Sequence, residues 1–138
     1  MKPTKLLSAF VSVIVLAVLV VPPLAFGRVV VNTINLQAAI SDNGRHIVVT
    51  GPIQGDTPGE RAYLRATITQ RSTGAVAEGV LIFTLTGNLW QWEVDATTQG
   101  KETFEPGPAT AVAIARTTTA GTTSDAHQWL VNITLVSQ

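Results

Sequence analysis

The chain has 138 residues, no cysteine, and nine basic residues against nine carboxylates. Without cysteine there can be no disulfide, no thiolate catalysis, no thiolate metal site and no lipidation of an N-terminal cysteine. The basic residues form no cluster of the kind that binds nucleic acid or an anionic membrane surface. We therefore expect no nucleic-acid partner.

Residues 1–27 have the pattern of a secretory signal peptide. Lys2 and Lys5 form a positive n-region, and an apolar stretch of 16 residues follows at 6–21. Two prolines then end any helix, and residues 25–27 (Ala-Phe-Gly) place small side chains at the −3 and −1 positions of a cleavage site. The apolar stretch is shorter than the roughly 20 residues that span a bilayer. We expect cleavage after residue 27, with an uncleaved membrane anchor as the alternative.

Residues 28–138 are expected to fold as one domain. They carry seven basic residues against nine carboxylates, a formal net charge of −2. Threonine occupies 18 of these 111 positions, and valine and isoleucine are plentiful. Side chains branched at Cβ favour extended backbone, and no stretch shows a helical spacing of apolar residues. This composition predicts an all-β domain with a single core.

Extended segments separated by turn residues recur along the domain. Ala62, Leu64, Ala66 and Ile68 alternate with polar residues in the clearest of them. The predicted strands are 29–40, 45–53, 60–71, 76–86, 89–97, 109–119 and 127–136. About seven strands, each with one apolar face, predict an antiparallel β-sandwich of two sheets, with a closed barrel as the alternative.

An ordered series of segments carries a family resemblance. The segments are 50–53 (TGPI), 60–70, 86–94 and 104–111 (FEPGPATA). The series resembles the single immunoglobulin-like domains that many bacteria export, especially those with GC-rich genomes. The resemblance implies an immunoglobulin-like β-sandwich of about seven strands after a signal-peptide helix, and it supplies no catalytic residues. Related domains often place one cysteine near residues 54–55 and another near Leu85, and this chain has neither.

Two histidines are candidates for acid–base chemistry. His46 stands at the start of a predicted strand, where an exposed position is expected. His127 follows Asp125 by two residues, so a hydrogen bond within a turn is expected between them. A catalytic relay would also need a nucleophile beside the base, and no nucleophile-elbow motif accompanies either histidine. We expect no catalytic residues.

Carboxylates offer little support for a metal or hydrolytic site. Residues 42–44 (Asp-Asn-Gly) have oxygen ligands but lack the further carboxylates of a calcium loop, so a type I′ turn is expected. Glu93 and Asp95 share one strand face about 7 Å apart, a separation that suits an inverting glycosidase. Glu102 and Glu105 form a second pair. We expect both pairs to be solvated, and we expect no metal or cofactor.

Three tryptophans could stack on sugars or fill the core. Trp90 and Trp92 are in phase with the apolar residues of their predicted strand, and Trp129 is in phase with those of the last strand. This phase favours the core for all three. Trp90, beside the predicted turn at 87–88, is expected to be the most exposed.

A row of arginines is the most distinctive surface feature. Arg61, Arg65 and Arg71 share one face of the third predicted strand with Tyr63. Three guanidinium groups on one face could bind an acidic polymer. Alternatively, they form ion pairs with acids on neighbouring strands. The candidate acids are Glu78, Glu93 and Asp95.

These observations predict a class of protein and no specific activity. We expect a secreted or cell-envelope-associated bacterial module that is not an enzyme and acts by binding or as a structural component. Its partner would be extracellular or in the envelope, and only the leader would contact the membrane, before cleavage. Self-association is left open. The alternative is a subunit of an extracellular filament in which residues 29–40 pair with a neighbouring chain.

Overall fold

The structure, a computed structural model, describes residues 29–138, so the predicted signal peptide lies outside the described residues. The described chain forms eight β-strands and one 3-10 turn at Asp42–Gly44. The strands are β1 (Val29–Asn32), β2 (Gln37–Ser41), β3 (His46–Gly55), β4 (Arg61–Gln70), β5 (Ala75–Thr84), β6 (Trp90–Thr98), β7 (Gly107–Thr119) and β8 (Thr122–Ser137). The predicted all-β class is confirmed. Within this range no helix is long and apolar enough to cross a membrane.

The predicted strands differ from the observed ones at both ends of the domain. The first predicted strand is two strands, because residues 33–36 leave the ladder between β1 and β2. The predicted loop at 120–126 is largely strand, since β7 and β8 are joined by only Ala120 and Gly121. Both residues of this short turn have positive φ, which lets a two-residue connection join antiparallel strands.

Seven of the strands close into a barrel. Their order is β3-β2-β8-β7-β4-β5-β6, and β6 pairs again with β3. All neighbouring strands are antiparallel except β2 and β8, which are parallel. The remaining strand, β1, pairs with the C-terminal end of β3 through three residue pairs.

The prediction of an immunoglobulin-like β-sandwich is therefore wrong in its architecture. Strands β6, β3 and β2 form one side of the barrel, and β8, β7, β4 and β5 form the other. Hydrogen-bonded strands join the two sides at both corners, whereas the two sheets of a sandwich are not joined in this way. At one corner β2 pairs with β8 over four residues. At the other, Ala77 and Glu78 of β5 pair with Thr98 and Thr97 of β6. Alternation along a strand could not distinguish the two architectures, since each has one buried and one exposed face.

The core lies inside the barrel and is built from one side of every closing strand. Alanines occupy the inward positions of β7 from Ala109 to Ala115, whereas on the inner side of β4 alanines alternate with a leucine and an isoleucine. The larger fully buried side chains fill the interior of the barrel: Ile34, Ile47, Val49, Ile53, Leu64, Ile68, Trp92 and Leu135. Gly51 makes room for the largest of these. A Cβ atom there would lie 2.6 Å from Cζ2 of Trp92 and would collide with the backbone oxygen of Thr33.

An apolar contact joins the two positions near which the family resemblance places cysteines. Leu85 is 3% exposed, and its side chain packs directly against Gly55. A Cβ atom at Gly55 would come within 2.5 Å of Cδ1 of Leu85. In this cysteine-free chain, close packing therefore joins these two segments.

The barrel is incompletely hydrogen-bonded between β5 and β6. The two strands pair only at Ala77 and Glu78, and Gly79 then passes close to the backbone of β6. Beyond this point, residues 80–84 pair with β4 alone among the described strands. We call residues 80–84 the open edge. The rings of Phe83 and Trp90 are in contact beside it, with centroids 4.8 Å apart and planes tilted by 38°.

Candidate functional site

The outer surface of β4 carries the predicted row of arginines. Burial alternates along the strand, so that Ala62, Leu64 and Ala66 are buried while Arg61 and Arg65 are exposed. The side chain of Arg71, just beyond the end of β4, is also exposed. The predicted division of this strand into an inner and an outer face is confirmed.

A fourth arginine joins this surface from β7. Arg116 lies directly opposite Tyr63 of β4, and its guanidinium carbon is 4.7 Å from the centroid of the tyrosine ring. This geometry is a cation–π contact, which fixes the guanidinium over the sheet. We call Arg61, Arg65, Arg71, Arg116 and Tyr63 the basic face. Sequence reasoning missed Arg116, because its place beside Tyr63 depends on the register between β4 and β7.

One carboxylate approaches the basic face. Nε of Arg65 lies 3.6 Å from Oε1 of Glu78, and both side chains are substantially exposed. Exposed ion pairs of this kind contribute little to stability. Among residues 33–138, the other three arginines of the face have no carboxylate within 4.0 Å. The alternative in which neighbouring acids pair with the arginines thus applies to Arg65 alone.

The other two acids considered as partners lie on β6, away from the basic face. Oδ1 of Asp95 lies 2.9 Å from Nδ1 of His46, and Asp42 lies 3.5 Å from the other ring nitrogen of His46. Glu93 pairs in register with Thr50 of β3. The acids of β6 and the arginines of β4 and β7 therefore occupy separate surfaces of the barrel.

A shallow groove ends the basic face beside Arg71. It has a volume of about 150 Å³, and its polar lining comes from Arg71, Thr69, Thr110 and Asn132. The hydroxyl of Thr110 donates to the side-chain oxygen of Asn132 at 3.5 Å. Guanidinium, hydroxyl and amide groups together can hydrogen-bond a carboxylate, a sulfate or a sugar hydroxyl.

The predicted contact of His127 is present. Nε2 of His127 lies 3.0 Å from Oδ2 of Asp125, as expected for a local hydrogen bond. Ser124, the nearest hydroxyl in sequence, contacts Thr117 and Glu60 instead. The structure therefore does not bring a serine nucleophile to this histidine.

The predicted turn at residues 42–44 has the expected backbone. The N–H of Arg45 donates to the backbone oxygen of Asp42 at 3.1 Å, and the two residues between them, Asn43 and Gly44, have φ of 53° and 84°, as the central positions of a type I′ turn require. In the part of the chain the structure describes, no three His, Cys, Asp or Glu side chains are grouped as a metal site would need. Glu102 and Glu105 are exposed.

The three tryptophans occupy different depths. Trp92 is fully buried, Trp129 is half-buried, and Trp90 is 42% exposed. The core prediction is confirmed for Trp92, and the expectation that Trp90 is the most exposed is also confirmed. The Trp90 side chain is not a free platform, because its ring is in tilted contact with the ring of Phe83.

A buried polar cluster at one end of the barrel was not predicted. Glu60 is 6% exposed, and its Oε1 accepts hydrogen bonds from Thr119, at 2.6 Å, and from Ser124. Ser124 also contacts the hydroxyl of Thr117 at 2.8 Å. A β-bulge makes Ser124 an extra residue in β8, which turns its side chain toward Glu60. Glu60 is in phase with Ala62 and could have been recognised as inward-facing from that spacing.

Replacing Glu60 with alanine is expected to lower the free energy of unfolding by about 2 kcal/mol, because two hydroxyl groups lose their acceptor in a buried site. Glu60→Gln keeps an acceptor oxygen and should cost less. Urea unfolding followed by tryptophan fluorescence measures both changes. Glu102→Ala is the matched control, since this exposed carboxylate should change stability by less than about 0.5 kcal/mol. Equal stability of the Glu60→Ala and Glu102→Ala variants would contradict the structural role of Glu60.

Comparison with known proteins adds no relative: no family profile matches the chain, and no curated protein sequence matches it.

Proposed function

We propose that the chain is an exported bacterial module, secreted or held in the cell envelope, that is not an enzyme and binds an anionic polysaccharide through its basic face. The observation that carries this proposal is the location of four of the chain's six arginines on one outer surface. Residues 28–138 are acidic overall, so this clustering is a local concentration of positive charge.

The chemistry of the basic face suits a polymer with repeated negative groups. A guanidinium group presents planar donors that match carboxylate, sulfate and phosphate oxygens. Arg61 and Arg71 are ten residues apart in sequence, and a strand rises by about 3.3 Å per residue, which spaces them by roughly 30 Å. A single small anion could not contact both ends of such a surface, whereas an extended polymer can.

We favour a polysaccharide over nucleic acid because of the expected location of the protein. The signal-peptide pattern of residues 1–27 points to an extracellular or envelope setting. Tyr63, which stacks under Arg116, supplies an aromatic group at the centre of the face.

Two observations guide the choice between the alternatives. A binding role agrees with the position of Ser124, whose hydroxyl contacts Thr117 and Glu60 and not His127. The alternative filament, in which residues 29–40 pair with a neighbouring chain, is less supported. In the structure β1 pairs with β3 of its own chain.

The proposal is tested with heparin as the anionic probe and the protein recovered after export. We expect retention on immobilised heparin at low salt and elution as the salt concentration rises. The triple variant Arg61→Ala, Arg65→Ala and Arg116→Ala should bind at least about tenfold more weakly, since hydrogen bonds between charged groups are worth more than 1.4 kcal/mol each. Isothermal titration calorimetry measures the affinity.

Arg45→Ala is the matched control, because Arg45 is an exposed arginine outside the basic face. It should leave heparin affinity unchanged. Equal weakening by the control and the triple variant would contradict the proposed site. Tighter binding to duplex DNA than to heparin would replace the polysaccharide with nucleic acid as the partner.

A further inference from the structure

Aliphatic side chains are exposed on the same outer surface as the basic face. Strands β5, β4, β7 and β8 are neighbours and together form this side of the barrel. Among the side chains that the structure describes, seven large apolar ones are exposed, and four of these lie on this surface. They are Val76, Val80 and Ile82 of β5 and Leu130 of β8, with exposed fractions from 36% to 63%. Apolar side chains that cluster on one surface mark a contact site more often than scattered ones do.

The strand register places these aliphatic groups beside the residues of the basic face. Arg65 lies opposite Val80 of β5 on one side and opposite Ile114 of β7 on the other. Two residues away along β4, Tyr63 lies opposite Ile82. Directly opposite side chains on one face of a sheet have Cβ atoms about 5 Å apart. An anion held by Arg65 would therefore have an aliphatic side chain on either side of it.

A second apolar group lies across β4 from Val80 and Ile82. Leu130 of β8 is 63% exposed and lies opposite Val112 of β7, which is half-buried. Val112 in turn lies opposite Thr67 of β4. The outward row of β4 is thus bordered by aliphatic side chains on both of its neighbouring strands.

The charges on this surface are almost all positive. The outward residues of β4, β5, β7 and β8 include one carboxylate, Glu78, and three arginines, Arg61, Arg65 and Arg116. Arg71 adds a fourth arginine just beyond the end of β4. Charge complementarity therefore favours an anionic partner over a cationic one. The aliphatic side chains between these cations favour a partner that also carries apolar groups.

We propose that the anionic polysaccharide bound by the basic face carries acyl esters on its sugar hydroxyls. Its charged groups meet the arginines, and its acyl chains lie on Val80 and Ile82 on one side of β4 and on Leu130 and Val112 on the other. A polymer with only hydroxyl and charged groups would press polar groups against these side chains, which offer no hydrogen-bond partner. This inference rests on the proposed function and names the class of polymer that the same site takes.

Alginate with and without acyl esters tests the inference, with the protein recovered after export. The three probes are unmodified alginate and the same alginate esterified to equal extents with acetyl or butyryl groups. Esterification of hydroxyls leaves the number of carboxylates unchanged, so the probes differ only in apolar surface. Each buried methylene group changes an affinity about fourfold. We expect the acetyl form to bind more tightly than the unmodified one, and the butyryl form at least about tenfold more tightly, by isothermal titration calorimetry.

Substitutions on the two sides of β4 test where the acyl groups lie. Ile82→Ser and Leu130→Ser should each lower the preference for butyrylated over unmodified alginate at least about threefold, because each removes an aliphatic side chain from the contact. Leu36→Ser is the matched control, since Leu36 is 68% exposed but lies between β1 and β2. It should keep the full preference, and circular dichroism should show the same strand content for all three variants. An equal loss of preference in Leu36→Ser and Leu130→Ser would contradict the proposed contact.

The outcome is separable from the proposed function. Equal affinity for the three alginates would overturn the acyl-ester inference and leave the binding of anionic polysaccharide intact. Binding to none of them, together with no retention on heparin, would overturn both. Tighter binding to vesicles of an anionic phospholipid than to butyrylated alginate would replace the polysaccharide with a membrane surface, and would overturn the inference as well.

Discussion

Replacing Trp92 with alanine is expected to lower the free energy of unfolding by about 4 kcal/mol, the cost of removing a large aromatic side chain from a packed core. Trp92 is fully buried. Its ring nitrogen has no hydrogen-bond partner among the described residues, so packing alone positions it. Since domains of this size are stable by about 5–15 kcal/mol, the loss would remove much of the total. Denaturant unfolding measures it.

Trp90→Ala is the matched control for this substitution. Trp90 lies on the same strand but is 42% exposed. Its removal should cost about 1 kcal/mol, mainly the loss of the ring contact with Phe83. If the two variants were equally stable, the assignment of Trp92 to the centre of the barrel would be wrong.

Introducing a single methyl group at Gly51 is expected to lower the free energy of unfolding by about 3 kcal/mol, the upper part of the range for overpacked cores. In Gly51→Ala the new Cβ would be 2.6 Å from Cζ2 of Trp92 and in collision with the backbone oxygen of Thr33. The ring of Trp92 is rigid and the oxygen of Thr33 belongs to the backbone, so moving both aside costs free energy. Thermal unfolding should show a melting temperature lower by roughly 10–20 °C.

Gly100→Ala serves as the control for the added methyl group. The nearest atom to a Cβ at Gly100 is the flexible end of Glu102, at 3.3 Å. The carboxylate of Glu102 can rotate toward solvent, so Gly100→Ala should have a melting temperature close to that of the wild type. A Gly51→Ala protein with an unchanged melting temperature would contradict the tight packing of β3 against Trp92.

The all-β class and most strands could be predicted because their signals are local. Alternation along residues 60–71 is sufficient to place Leu64 inside and Arg65 outside. The closure of the barrel could not be predicted in this way. It depends on the pairing of Gln37 with Thr134 and of Glu78 with Thr97, and neither pair is marked by residues near each other in sequence. An uninterrupted alternation fits a barrel and a sandwich equally well.

The candidate site was predicted only in part, because some of its residues are brought together by strands that are distant in sequence. Three arginines of the basic face lie on one strand or at its end, so their common face follows from spacing. Arg116 could be added only when the register of β7 against β4 was established. The cluster around Glu60 depends on a bulge at Ser124, and no pattern in the sequence marks this bulge.

The parallel pairing of β2 with β8 has a consequence for how the chain reaches its native state. It joins a strand near the start of the domain to the last strand, so the hairpin β4–β5 can form early but the ring cannot close until β8 is available. Such long-range contacts slow folding, because loop-closure entropy is lost before they form. As the chain is synthesised, the barrel therefore stays open until β8 has been made.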